Sequence, residues 1–214
     1  MRTVVLLLLF TLVPASLLAQ DDPVASFADA LSTDAALRKL EQGKAITGSF
    51  DLETKPRSAS IWGAIRIPAS PQAIIKLIRD CPNAPRYHKK LKFCEIISSD
   101  EVGDGDDDEE ILHQQLKISW FSPLLDYTFR AKYNDNAIRY TLISGDLKIL
   151  QGGWNVYPDP GANSGLLVYF ISIKPAAPVP LWVVTRVLQS DIIKTLQTMR
   201  ELLSLKGNTW LTDE

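Results

Sequence analysis

Histidine and cysteine are nearly absent from this chain, with two of each in 214 residues. The shortage limits the chemistry available. A metal centre has only Cys81, Cys94, His88 and His113 as soft or imidazole ligands, and a hydrolytic triad has only two candidate bases. No Gly-x-Ser-x-Gly elbow and no phosphate-cradling glycine loop occurs. Lys and Arg form no dense block, and a net charge of -2 supplies no long-range attraction for a polyanion, so nucleic acid is not expected as a partner. No repeat of fixed period is present, and the one long apolar run lies at the very start.

That run sets the expected compartment. Arg2 precedes apolar residues from Val4 to Val13, followed by Pro14 and small residues up to Ala19. The pattern is that of a secretory signal peptide, with cleavage near Ala19 and a periplasmic or secreted product. The run is shorter than the ~20 residues of a comfortable bilayer span, and Asp21 and Asp22 follow at once. An uncleaved anchor is the alternative. In an oxidising compartment Cys81 and Cys94 are expected to pair, a closure that stabilises by about 3 kcal/mol; two separate buried thiols are the alternative.

Beyond the leader, 46% apolar content suits a single globular core. Phe27, Ala30, Leu31, Leu37 and Leu40 recur at helical spacing and stop before Gly43, predicting a short peripheral helix. Ser60 to Ile67 alternates as a strand. Ser70 and Pro71 then take the N-cap and first position of a helix that reaches Asp80 and is stopped by Pro82 and Pro85. One more helical turn is expected between Arg86 and Leu91. Strands follow over Phe93–Ser99, Ile111–Trp120, Tyr127–Tyr133, Ala137–Ile143, Leu147–Tyr157 and Gly165–Lys174, joined by turn-forming residues, which makes an antiparallel meander. Leu181, Val184, Leu188, Ile192, Leu196, Met199 and Leu203 then mark a helix of about seven turns, whose broad apolar arc calls for a curved sheet to clasp it.

Strand, helix, short excursion, meander and long helix occur in the order of the START-like (SRPBCC, Bet v 1-like) superfamily, and several segments resemble it. They are Ile65 to Pro71, Ile78-Arg79-Asp80, Asn83 to His88 with Leu91 to Ile97, Trp120 to Tyr127, Gly152 to Pro158 and Val179 to Trp182. The resemblance covers about residues 45–206 and implies an α+β helix-grip fold. It places a 20–44 helical extension before the domain and a 207–214 tail after it. Leu125 stands where many members carry arginine, so a ligand's polar end must be met elsewhere.

The resemblance further implies space between sheet and final helix for a lipid or other hydrophobic small molecule. Its expected lining is Tyr127, Phe129, Tyr140, Leu142, Trp154, Val156, Trp182, Leu188 and Ile192, with Tyr127, Tyr140 and Asn155 as polar handles. For any one of these residues plain core packing is the alternative. Transient membrane contact fits a carrier, and no cofactor or metal is expected. The acidic run Asp100 to Glu110 begins like a calcium loop, but Glu109 takes the glycine position and Gln115 that of the bidentate glutamate, so a solvated hairpin tip is expected. His113, Arg130 and Arg139 alternate onto the outward face, and His88 is expected at the surface or capping a turn. Little polarity then converges inside the cavity. A cyclase/aromatase-type enzyme on the same fold, or an interaction module with a filled core, are the rival functions.

Overall fold

The computed structural model describes residue 24 and residues 27–51, 57–100, 108–118 and 123–204. The leader, most of the acidic run, Trp120 and the 207–214 tail lie outside them. Eight strands form one antiparallel sheet: β1 (Ile46–Ser49), β2 (Ala59–Ile67), β3 (Leu91–Asp100), β4 (Asp108–Lys117), β5 (Leu124–Asn134), β6 (Ala137–Gly145), β7 (Leu147–Pro158) and β8 (Gly165–Pro175). Their order is β1-β2-β8-β7-β6-β5-β4-β3, so the meander is continuous from β3 to β8 and the chain returns to lay β2 against β8. The helix α4 (Leu181–Ser204) spans about 36 Å at 1.5 Å per residue and crosses the inner face of the sheet. This is the helix-grip architecture.

Local chemistry fixes each element. The helix α3 (Pro71–Arg79) starts at Ser70, whose hydroxyl accepts the Ala73 N–H, and ends before Pro82; a 3-10 turn at Ala84–Arg86 follows. Cys81 and Cys94 are disulfide-bonded and tie the end of α3 to β3. Every buried residue of α4 belongs to one arc: Val184, Leu188, Asp191, Ile192, Thr195, Leu196, Met199 and Leu203. Gly63 in β2 lets this arc settle onto the sheet. A Cβ there would collide with Ile192 and stand 3.0 Å from Leu196 Cδ1.

The N-terminal region departs from the expected single peripheral helix. It forms α1 (Ala28–Leu31) and α2 (Asp34–Glu41), broken where Thr33 caps α2 by accepting the Ala36 N–H. These helices cover the outer face of the sheet rather than standing apart. Phe27 stacks on Trp62 at 5.2 Å and joins Phe50, Leu40, Val168 and Phe170 in a second apolar cluster. Strand β2 is therefore buried on both faces, with Ile61, Ile65 and Ile67 toward α4 and Trp62 and Ala64 toward the N-terminal helices. No described helix is long and apolar enough to cross a membrane.

Candidate functional site

Sheet and α4 do not meet everywhere. Where β4, β5, β7 and β8 curve away from the first half of α4, a cavity remains with a free volume of about 120 Å³. Its wall is aromatic. Trp154 and Tyr169 stack at 4.1 Å, Phe129 meets Tyr140 edge-on at 5.7 Å, and Tyr127 lies 6.1 Å from Phe129. The strap of residues 82–90, held at its base by the disulfide, closes one side with Ala84, Tyr87, His88 and Lys90. A smaller void of about 60 Å³ lies deeper, against the disulfide, and shares Ala84, Tyr87, Gln114, Phe129 and Tyr140 with the main cavity. Those five residues form the partition between the two.

Six of the nine anticipated lining residues surround this space: Tyr127, Phe129, Tyr140, Trp154, Leu188 and Ile192. Three do not. Trp182 is 70% exposed, because it lies two residues, about 200°, round the helix from the inward Val184. Val156 is buried, but Ile74 of α3 fills the inner face at that end, and both side chains crowd Gly165. Leu142 lies beyond the last β6–β7 pair, Thr141 with Gln151, where β6 has parted from the middle of the sheet. The handle Asn155 also lies elsewhere. It sits opposite Trp154 on the outer face, where its Nδ2 donates to the Tyr157 hydroxyl at 3.1 Å.

The outward assignments hold in the geometry. His113 contacts Glu95 and Asp126 at 3.0 Å each on the solvent side, and these two carboxylates, Glu95 first, raise its pKa above the ordinary histidine value. Arg130 pairs with Glu109 at 2.5 Å, and Arg139 lies over the Phe170 ring on the outer face. Among the described residues no group of three or more His, Cys, Asp or Glu is placed to hold a metal ion.

The inside of the cavity is more polar than anticipated. His88 caps the turn into β3, one of its two expected roles, through Nδ1, which accepts the Leu91 N–H at 3.2 Å; it is a cavity-wall residue as well, with Nε2 3.0 Å from Asp191 Oδ2. Asp191, only 7% exposed, is the one carboxylate among the described residues that line the cavity. Thr195 is buried on the wall one turn further along α4. Tyr127 donates to Gln114 Oε1 at 2.9 Å, and Gln114 Nε2 donates to Cys94 Sγ. Burial, before any other cause, pushes the hydroxyls of Tyr87, Tyr127, Tyr140 and Tyr169 well above the usual tyrosine range, so all four are neutral donors at physiological pH. Burial also lowers the pKa of Lys90 at the rim, opposed by the nearby Asp191 charge.

Sequence reasoning missed Tyr87, Lys90, Gln114, Tyr169, Asp191 and Thr195. Asp191 and Thr195 did carry a signal, since polar residues three and seven positions after Leu188 fall inside the apolar arc of α4. Tyr169 alternates in phase with Leu167 and Ile171, the inward residues of β8.

Known proteins resemble this chain in fold more than in sequence. A STAR-related lipid transfer protein from Xanthomonas axonopodis shares 15% identity over 74% of this chain and 93% of its own, with a TM-score of 0.62. Human STARD10 shares 13% over 89% and 81%, with a TM-score of 0.64. The Zhui aromatase/cyclase of a Streptomyces species shares 10% over 68% and 93%, with a TM-score of 0.56. At such identities the likeness is one of fold alone. No curated protein matches in sequence. The model of a family described as polyketide cyclase / dehydrase and lipid transport matches residues 67–200, from the end of β2 almost to the end of α4, and the chain belongs to that START-like family.

Proposed function

We propose that this chain is an exported carrier that shelters a hydrophobic small molecule between the sheet and α4. The observation that carries the reading is the aromatic cavity itself: a stacked Trp154–Tyr169 pair with Phe129, Tyr127 and Tyr140 beside free volume between sheet and helix. Each Å² of ligand apolar surface moved there gains about 25 cal/mol. The free volume is below the ~300–1,000 Å³ of typical ligand pockets, so a ligand larger than a small ring enters by displacing the strap or the start of α4. Export rests on the Arg2 to Ala19 pattern, and N-terminal processing near Ala19 is read directly from the mass of the mature protein.

A neutral environment-sensitive probe, N-phenyl-1-naphthylamine, tests the carrier reading. The wild-type protein is expected to raise its fluorescence saturably, and Leu188→Trp, which places an indole in the free volume, is expected to abolish the rise while the protein stays folded. Equal signals from both proteins would place the probe elsewhere and count against the cavity.

The second reading, an enzyme of the aromatase/cyclase type, draws support from His88 and Asp191 on the cavity wall. The geometry favours the carrier. Nδ1 of His88 is occupied by the Leu91 N–H and Nε2 faces Asp191, so neither nitrogen is presented to a bound molecule as a general base. A filled interaction module is disfavoured by the free volume.

A further inference from the structure

The polar groups of the cavity wall are not equally occupied. Gln114 and Tyr127 satisfy each other, and His88 is engaged through both nitrogens. Two groups on α4 are left over. The Asp191 side chain meets His88 through Oδ2, and among the described residues its Oδ1 has no partner. Thr195 is 4% exposed, and among the described residues its hydroxyl makes no hydrogen bond. Residues four apart on a helix are neighbours, and both line the same cavity, so an unpaired acceptor and an unpaired hydroxyl stand side by side against free volume. Neither atom is sealed in the core, where the unpartnered side-chain atoms among the described residues are Arg66 Nε and Asn155 Oδ1; both belong to the cavity lining, and a polar group facing free volume is one a ligand group can pair with.

The charge around the pair defines which group. A carboxylate ligand would meet the Asp191 charge at close range in a poorly solvated site. A ligand hydroxyl has no such conflict: its proton goes to Asp191 and its oxygen accepts from Thr195. The residue that replaces the family's arginine, Leu125, is 5% exposed and contributes no polar atom from its side chain, so the sheet offers nothing equivalent at that position. Resting on the carrier reading above, we propose that Asp191 and Thr195 form a hydroxyl-binding subsite on α4 and that the ligand is an uncharged apolar molecule bearing an alcohol or phenol group.

Matched probes separate this proposal from the carrier reading on which it rests. Isothermal titration calorimetry compares 2-naphthol, 2-methylnaphthalene and 2-naphthoate, which share a ring system and differ in one group. Wild type is expected to prefer 2-naphthol over 2-methylnaphthalene by about tenfold or more, the value of a hydrogen bond to a charged acceptor, and to bind 2-naphthoate more weakly than 2-naphthol. Thr195→Val, nearly isosteric, and Asp191→Asn, which keeps the shape but removes the charge, are each expected to reduce the preference to about threefold or less, with circular dichroism confirming the fold. Equal binding of 2-naphthol and 2-methylnaphthalene by wild type, or an undiminished preference in both variants, would overturn the subsite alone and leave the cavity standing. Tightest binding of 2-naphthoate would also overturn it, assigning ligand choice to Lys90. If no probe binds wild type, the carrier reading falls and the subsite with it.

Discussion

Substituting Gly63 by alanine probes how closely α4 is seated on the sheet. Gly63 lies in the middle of β2, and a Cβ there would collide with Ile192 and stand 3.0 Å from Leu196 Cδ1. Both side chains belong to the fully or nearly fully buried arc of α4, so relief requires the helix to lift or a rotamer to change. Overpacking of this kind costs about 1–3 kcal/mol. For a chain of this size each kcal/mol lowers Tm by about 2–4 °C, so a central cost of ~2 kcal/mol is a fall of about 4–8 °C. The close contact also fixes a coupling between the two positions. Ile192→Ala alone leaves a cavity and costs about 2–5 kcal/mol. In its background the new Cβ keeps the approach to the flexible end of Leu196 and an ordinary contact with the Ile46 carbonyl at 3.4 Å, and Gly63→Ala is expected to cost under about 1 kcal/mol, a coupling of ~1 kcal/mol or more. Urea denaturation of the four proteins closes the cycle. Strict additivity, or a Gly63→Ala protein as stable as wild type, would refute the close seating of α4 on β2.

Three other outcomes follow from named contacts. Replacing both Cys81 and Cys94 by alanine opens the clamp between α3 and β3 and is expected to lower Tm by about 6–12 °C, from ~3 kcal/mol of loop-closure entropy; an unchanged Tm in calorimetry contradicts this. His113, held by Glu95 and then Asp126, should titrate by NMR above the ordinary histidine value, and Asp126→Asn should bring it down. Because the folded pKa is the raised one, its contribution to stability is complete below the unfolded value and is lost as pH rises through the folded value. A His113 titrating below 6.5 would contradict the assigned contacts. Trp182→Ser should leave Tm within about 2 °C of wild type, whereas Trp154→Ala should cost about 3–5 kcal/mol, because one indole is solvated and the other is buried against Tyr169.

Much of the fold is legible in the sequence because each element has a local cause. The Ser70–Pro71 start of α3, the period-two strands and the three-and-four spacing of α4 are short-range patterns, and β3 to β8 differ from the expected strands mainly at their ends. The family resemblance supplied the way these pieces pack. What was not legible depends on contacts between elements distant in the chain. Nothing local in Phe27 to Leu40 tells that Phe27 will stack on Trp62 and cover the outer face. His88 reads as a surface or turn-capping residue of a proline-rich bridge; the cap is there, but its place beside Asp191, 103 residues later, depends on the disulfide and the 3-10 turn. The cavity residues divide in the same way. Tyr127, Phe129, Tyr140 and Trp154 follow from strand alternation, whereas losing Val156 to α3 and Leu142 to the parting of β6 from β7 requires knowledge of where neighbouring elements end.

Native mass spectrometry of the full chain, prepared without detergent and incubated with a total lipid extract, tests the ligand-carrying role most directly. The account predicts a noncovalent adduct of one small apolar molecule per chain, absent in the Leu188→Trp protein, whose free volume is filled. A wild-type protein that retains nothing from the extract, or an adduct that survives equally in Leu188→Trp, would contradict it.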